Sequence, residues 1–170
     1  MNDKVIILIG FMGAGKSSVA KWLGQTLQRQ VLSTDGLIEQ KTRLSIRDIF
    51  EQQGEVVFRK LENEVLLEIK DQRNIVLDCG GGIVTDQNNL NILKNMGLVF
   101  YLSAKPETIL VRVKKSNHRP LLNVGDPLKV IKDKLNERDI FYKQGQEIFT
   151  DGKTIAEIGE EILERYAECK

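Results

Sequence analysis

The stretch of the sequence that says most about chemistry is a glycine-rich octapeptide near the N-terminus. Residues 10–17 read Gly-Phe-Met-Gly-Ala-Gly-Lys-Ser, which matches the pattern G-x-x-x-x-G-K-[ST]. In this pattern backbone N–H groups surround a phosphate, the lysine reaches the β- and γ-phosphate oxygens, and the serine hydroxyl binds Mg²⁺. The residues predicted to bind the nucleotide are Gly13, Ala14, Gly15, Lys16, Ser17 and Ser18, with Ser17 as the Mg²⁺ ligand.

The loop predicts a bound nucleotide but not a reaction, because kinases, ATPases and GTPases all use it. A GTPase needs an Asn-Lys-x-Asp-like motif to read its base, whereas Ser-Ala-Lys-Pro follows the strand predicted at 98–102. A large motor ATPase needs a much longer chain. A small kinase remains, with a glycine-rich turn carrying a chance Lys-Ser as the alternative.

Four further features could bind the phosphate acceptor. Asp35 follows a predicted strand, Arg59 and Arg138 lie on predicted helices, and glycine occupies all of 80–82. Guanidinium groups suit an acidic acceptor, because they bind carboxylates through two parallel hydrogen bonds. Ordinary roles stay open: a helix N-terminal residue for the aspartate, surface ion pairs for the arginines, and close backbone packing for the glycines.

Short apolar runs alternate with longer amphipathic stretches along the chain. Strands are predicted at Val5–Ile9, 30–32, 75–79, 98–102 and 147–149. Helices are predicted at 17–27, 34–41, 45–51, 55–69, Pro106–Lys114, 127–143 and 154–169. Strands that alternate with helices of this kind indicate an α/β fold with a parallel sheet covered on both faces. Ligands bind beyond the carboxyl ends of such strands, which is where the loop, Asp35 and the glycines stand.

The composition narrows the range of partners. The chain has 170 residues, 41% hydrophobic and 29% charged, so we expect one globular domain, residues 1–170. Its 25 Lys and Arg nearly balance its 24 Asp and Glu, which argues against nucleic-acid or membrane-surface partners. The start of the chain does not read as a signal peptide, and Cys79 and Cys169 show no disulfide spacing. We therefore expect a cytoplasmic protein, and a chain of this size can be a monomer.

Taken in order and spacing, these residues resemble those of the bacterial shikimate kinases, and the resemblance covers almost the whole chain. The matching landmarks are 10–17, Thr34-Asp35 with Ile38-Glu39, the run from Ile46 to Glu62, 80–82, 119–122, and Arg138 with Tyr142. The resemblance implies a three-layer P-loop kinase fold with a five-stranded parallel sheet, a substrate-binding segment at 34–62 and a lid at 115–126. It also implies transfer of the γ-phosphoryl group of ATP to the 3-hydroxyl of shikimate, on the route to chorismate and the aromatic amino acids.

The same resemblance implies roles for individual residues. Those implied to act in catalysis are Asp35 as the base, Lys16 and Arg119. Those implied to bind shikimate are Asp35, Arg59, Gly81, Gly82 and Arg138. Arg119, in the lid, is implied to reach the ATP phosphates, and Arg112 fits a position that stacks on adenine.

The sequence departs from this family at a position that bears on the metal. The family usually has Asp-x-Asp after the second strand, and its first carboxylate helps to hold Mg²⁺, whereas here Ser33 stands in that place. Asp78 ends a neighbouring predicted strand, and strand ends about 4.8 Å apart can converge on one ion. We hypothesise that Asp78 supplies the carboxylate that Ser33 cannot, acting behind the metal's own ligands. Pairing of Asp78 with a nearby lysine is the alternative.

Two other functions stay open. Another small-metabolite kinase of similar fold, such as a gluconate kinase, needs no clamp for an acceptor carboxylate, and the pair Arg59 and Arg138 argues against it. A nucleotide-binding regulator that has lost catalysis is favoured only by Ser33.

Overall fold

The computed structural model of the chain describes residues 4–114 and 125–169. Its five strands are β1 (Val5–Ile9), β2 (Gln30–Ser33), β3 (Ile75–Asp78), β4 (Gly97–Ser103) and β5 (Gln146–Phe149). They pair in parallel, in the order β2-β3-β1-β4-β5. The five predicted strands and the parallel sheet are therefore confirmed, with strand ends that differ by about one residue.

Helices precede and follow the strands. They are α1 (Lys16–Leu27), α2 (Thr34–Thr42), α3 (Ile46–Ile69), α4 (Gln87–Met96), α5 (Pro106–Lys114), α6 (Pro127–Tyr142) and α7 (Ile155–Glu168). The two helices predicted at 45–51 and 55–69 meet in α3, whose path is broken at Gly54 (φ 81°, ψ 172°). The sequence patterns do not predict α4 or the short 3₁₀ turn Ile83–Thr85 before it.

The sheet is covered on both faces. Side chains of β1 alternate between the two cores, and all five of its residues are fully buried. Ile6 and Leu8 pack with residues of α1 and α7, whereas Val5, Ile7 and Ile9 pack with residues of α3, α4 and α6. This is the three-layer α/β architecture that the sequence predicts.

The parallel pairing of β1, β3 and β2 aligns the carboxyl ends of these three strands. Asp78 at the end of β3 pairs with Leu8 of β1 on one side and with Ser33 of β2 on the other. α2 begins directly after β2, and the Ser33 hydroxyl caps it by accepting the N–H of Gly36 at 3.3 Å. The residues that follow β1, β2 and β3 therefore face a common space.

Two strands form the edges of the sheet, β2 and β5, and each is four residues long. Within the described ranges, no helix is both long and apolar enough to cross a bilayer.

Candidate active site

A cleft of about 1220 Å³ opens at the carboxyl ends of β1, β2 and β3. It brings together Gly13, Ala14, Gly15, Lys16, Ser17, Ser18, Asp35, Arg59, Asp78, Gly81, Gly82, Arg112 and Arg138. Every predicted site residue that the structure describes thus lines one cavity. Arg119 lies outside the described residues, as does most of the predicted lid at 115–126.

The phosphate loop, residues 10–17, leads from β1 into α1. Gly15 precedes the helix with φ 97°, a left-handed conformation that favours glycine, and its side-chain-free backbone leaves the first N–H groups of α1 open to an anion. Lys16 is 9% exposed, and its Nζ donates to the carbonyl oxygens of Gly10 at 2.9 Å and Phe11 at 3.2 Å. The ammonium group is thereby held inside the loop, beside the place where phosphate oxygens would lie.

Arg112, on α5, donates hydrogen bonds to the backbone of the phosphate loop. Its Nη1 donates to the carbonyl oxygen of Gly13 at 3.3 Å and to Oγ1 of Thr150 at 3.1 Å. These bonds hold the guanidinium at the wall of the cleft, and stacking on adenine stays a prediction. Lys153 and Ile155, which were not predicted site residues, also line the cleft.

Ser17 and Asp78 form a pair of oxygen donors next to the loop. The Ser17 hydroxyl donates to Oδ2 of Asp78 at 2.6 Å. Hydroxyl and carboxylate oxygens are ligands that Mg²⁺ prefers, and Mg²⁺ usually takes few protein ligands besides phosphates and water. No cluster of three His, Cys, Asp or Glu side chains able to hold a metal occurs in the described part of the chain. Ser17 and Asp78 therefore suit a Mg²⁺ ion that binds together with the phosphates of a nucleotide.

Asp35 lies in the first turn of α2, just past the end of β2. The hydroxyl of the preceding Thr34 accepts the N–H of Gly80 at 2.8 Å and so ties α2 to the end of β3. A Cβ atom on Gly80 would overlap Oδ1 of Asp35. Glycine at this position therefore leaves the space that the Asp35 carboxylate occupies.

Arg59, on α3, is held by two carboxylates of its own helix. Its Nη2 lies 2.8 Å from Oε1 of Glu55, and its Nη1 lies 2.6 Å from Oε2 of Glu62. Its Cζ also lies 5.4 Å from the centroid of the Phe58 ring. A Cβ on Gly82 would lie 2.7 Å from this Cζ, so the guanidinium packs directly on the glycine backbone. Arg59 makes the ion pairs expected of a helical arginine and still faces the cleft.

Glu62 is a buried acid next to Arg59. Its side chain is fully buried, and within the described part of the chain nothing donates a hydrogen bond to its Oε1. Burial, opposed in part by the charge of Arg59 and reinforced by that of Asp35, raises the pKa of Glu62 to about 7. This carboxyl group therefore changes charge near neutral pH.

Arg138 and Tyr142, one turn apart on α6, converge on the carbonyl oxygen of Gly81. Nη1 of Arg138 donates to it at 3.0 Å, and the Tyr142 hydroxyl donates to the same oxygen. Tyr142 is fully buried and stacks on Tyr101, with ring centroids 4.9 Å apart. Gly81 is thus fixed from the α6 side, and Arg138 also lines the cleft, with its Cζ 5.6 Å from the centroid of the Phe11 ring.

Phe50, Phe58 and Glu62 line the cleft near Arg59 but were not among the predicted site residues. Phe50 and Phe58 form an aromatic wall with ring centroids 4.6 Å apart, and Glu62 lies beneath Arg59. Two signals were available: all three residues lie in the run from Ile46 to Glu62 that matches the family, and Glu62 follows Arg59 by three residues. That spacing is also typical of ordinary ion pairs on helix surfaces, so it does not identify a site.

Comparisons with known proteins agree with each other. The family model described as shikimate kinase matches residues 12–167. A shikimate kinase of Caldanaerobacter subterraneus is 40% identical over 168 residues, which are 98% of each chain. A shikimate kinase of Dehalococcoides mccartyi is 43% identical over 159 residues, which are 92% of this chain and 90% of the relative.

Solved structures show the same likeness. The shikimate kinase from Acinetobacter baumannii in complex with shikimate has a TM-score of 0.92 at 37% identity, covering 98% of this chain and 94% of that one. A gluconokinase from Sinorhizobium meliloti has a TM-score of 0.61 at 12% identity, covering 99% of this chain and 95% of that one. The second likeness is one of fold alone.

Proposed function

The chain belongs to the shikimate kinase family, and we propose from this premise how its cleft transfers the γ-phosphoryl group of ATP to the 3-hydroxyl of shikimate. One observation carries the proposal: the phosphate loop, Asp35 and the arginines Arg59 and Arg138 line a single cavity. One part of this cavity suits nucleotide phosphates, and another suits a small hydroxylated carboxylate.

The phosphate loop binds the nucleotide. Backbone N–H groups at the start of α1 surround the phosphates, and Lys16 exchanges its bonds with the Gly10 and Phe11 carbonyls for bonds with the β- and γ-phosphate oxygens. Mg²⁺, when bound with ATP, neutralises charge on these oxygens, and Ser17 is the residue that would ligate it. Arg119 is proposed to reach the same phosphates from the lid.

The acceptor lies between the arginines and Asp35. Arg59 and Arg138 bind the carboxylate of shikimate, since planar guanidinium groups match its two oxygens. The Gly81 backbone, fixed by Arg138 and Tyr142, lines the bound ring. Gly82 acts by leaving room for Arg59.

Asp35 orients the attacking hydroxyl and receives its proton. As the new bond between the 3-oxygen and the γ-phosphorus forms, the bond from that phosphorus to the bridging oxygen of ATP breaks and ADP leaves. Phosphoryl transfer has a loose transition state, so the base mainly positions the hydroxyl, and Lys16 stabilises charge on the transferred group.

We also propose that the enzyme works in the cytoplasm as a monomer. The location is favoured by the need for ATP, and the fold contains a complete two-sided core in one chain. Light scattering of the purified chain tests the oligomeric state directly.

The first experiment measures ADP release from MgATP with shikimate present, with gluconate in its place, and with neither. We expect turnover only with shikimate. Lys16→Ala, purified in the same way, reports any contaminating kinase. Release that does not depend on shikimate, or an equal rate with gluconate, contradicts the proposal.

Arg138→Ala locates the acceptor. We expect the KM for shikimate to rise at least tenfold, because a bond to a charged group is lost, while nucleotide affinity is unchanged. Arg73→Ala, an exposed arginine away from the cleft, is the matched control. Equal loss of affinity for both substrates argues against this placement of shikimate.

A further inference from the structure

Asp78 lies beside Ser17 of the phosphate loop, at the carboxyl end of β3. It is 8% exposed, and its Oδ2 accepts the hydrogen bond of the Ser17 hydroxyl at 2.6 Å. It pairs in the ladder with Leu8, close to the start of the loop at Gly10. Burying a carboxylate is unfavourable unless charges or hydrogen bonds compensate, and the Ser17 hydroxyl supplies one such hydrogen bond.

Ser33 is the neighbour of Asp78 across the ladder between β2 and β3. The Ser33 hydroxyl accepts the N–H of Gly36 and caps α2, the helix that carries Asp35. Side chains at paired positions of neighbouring parallel strands leave the same face of the sheet, about 4.8 Å apart. Positions 33 and 78 both line the cleft, so a carboxylate at either of them reaches the same region.

We infer that Asp78 orients the metal site of this chain, in place of a carboxylate on β2; the inference rests on the proposed function. By accepting the Ser17 hydrogen bond, Asp78 turns the lone pairs of the Ser17 oxygen toward a cation at the phosphates. Carboxylates beside a metal's own ligands commonly hold those ligands in place. In phosphate-loop enzymes a loop Ser or Thr and an Asp hold Mg²⁺ together.

A purely structural role for Asp78 leads to different expectations. If Asp78 only balanced the charge of Lys16, neutralising it would change nucleotide affinity equally with and without metal. If it orients Ser17 for the metal, only the metal-dependent part of the affinity changes. The two roles are therefore separable by titration.

The experiment measures ADP affinity by isothermal titration calorimetry, once with Mg²⁺ and once with EDTA, and Mn²⁺ binding to the ADP complex by electron paramagnetic resonance. Asp78→Asn keeps the size of the side chain and removes its charge. We expect the gain in ADP affinity that Mg²⁺ provides to fall about tenfold, with affinity in EDTA unchanged. Adding Ser33→Asp to this variant should restore most of the gain, because it returns a carboxylate to the same region.

Equal loss in Mg²⁺ and in EDTA, or wild-type Mn²⁺ affinity in Asp78→Asn, overturns the inference. Ser33→Ala is the control, since it removes the α2 cap without changing a charge, and both titrations should match the wild type. Should Asp78→Asn not fold, Ser33→Asp alone decides: a second carboxylate should raise Mn²⁺ affinity severalfold, and no change overturns the inference.

These titrations use no shikimate, so they are independent of the turnover assay. If the chain shows the expected metal dependence but does not turn over shikimate, this inference stands and the proposed function is wrong.

Discussion

Two glycine-rich segments border the cleft, and they need glycine for different reasons. In the phosphate loop, Gly15 has φ 97°, and a Cβ there would meet nothing within 4 Å. In the segment 80–82, Gly82 has φ −103°, which any residue adopts, but a Cβ would collide with the Arg59 guanidinium. Gly15 is therefore required for its backbone conformation, whereas Gly82 is required for the space that it leaves.

The difference follows from how each segment serves its ligand. The loop offers its own N–H groups to phosphate, so its glycines shape the backbone that binds. The segment 80–82 makes room for side chains from α2 and α3 and so shapes the acceptor half indirectly. Substitutions in the two segments should separate nucleotide binding from acceptor chemistry.

Gly80→Ala should give the largest effect. The added methyl group overlaps Oδ1 of Asp35, so the carboxylate must leave its place. We expect kcat to fall by about 10² to 10⁴, the range typical of losing a positioned base, with little change in ADP affinity. Steady-state kinetics beside calorimetry separate the two quantities. A fall in ADP affinity as large as the fall in kcat would show that both segments act on the nucleotide.

Glu62→Gln tests the buried charge beside Gly80. The pKa of Glu62 is raised from 4.5 to about 7, so between these pH values the folded chain holds a proton that the unfolded chain has released. Its contribution to the free energy of unfolding therefore falls as pH rises through this window. Because each pKa unit is worth 1.36 kcal/mol, the variant should gain up to about 3 kcal/mol relative to wild type between pH 4.5 and 8.

Urea unfolding of both proteins at several pH values in this window measures the effect. Parallel curves for the variant and the wild type would mean that Glu62 keeps its ordinary pKa of 4.5 in the folded chain. The space near Gly80 would then hold a full charge at neutral pH.

Gly82→Ala should act on shikimate alone. The methyl group displaces the Arg59 guanidinium while the backbone stays relaxed, so we expect the KM for shikimate to rise about tenfold, the equivalent of 1.4 kcal/mol. The ADP affinity should match the wild type. An unchanged KM for shikimate would place the acceptor carboxylate away from Arg59.

Gly15→Ala should give the smallest effect, and the opposite specificity. A left-handed backbone costs an alanine about 1 kcal/mol, so we expect ADP affinity and stability to fall modestly while the KM for shikimate holds. Gly152→Ala is the matched control, since Gly152 has φ 73° and also has open space around its Cα. Gly152→Ala should lose similar stability without losing ADP affinity. A loss of ADP affinity in this control would mean that the effect of Gly15→Ala is not specific to the phosphate loop.

Much of the fold could be predicted from local patterns. β1 is five buried aliphatic residues in a row, and apolar runs also mark β3 and β4. α4 was missed because four of its ten residues are asparagine, a poor helix former, although Leu90, Leu93 and Met96 bury one face. Tertiary packing decides this helix, and that information is absent from a short window of sequence.

The site divides in the same way. The loop residues follow from one contiguous motif, and the structure places them together. Glu62, Phe50 and Tyr142 lie in stretches that match the family, but the sequence assigned them no individual role, because burial and packing fix those roles. The contact between Ser17 and Asp78 joins residues that are 61 positions apart and becomes visible only in the ladder of β1 and β3.

The short outer strands have a consequence for behaviour at high concentration. β2 and β5 each offer only four residues to an incoming strand, and they carry exposed apolar side chains in Val31 and Phe149. Long flat edges recruit strands from other molecules and seed aggregates, whereas a short edge provides too few backbone bonds to hold one. The short length of the two edge strands therefore protects the sheet against self-association.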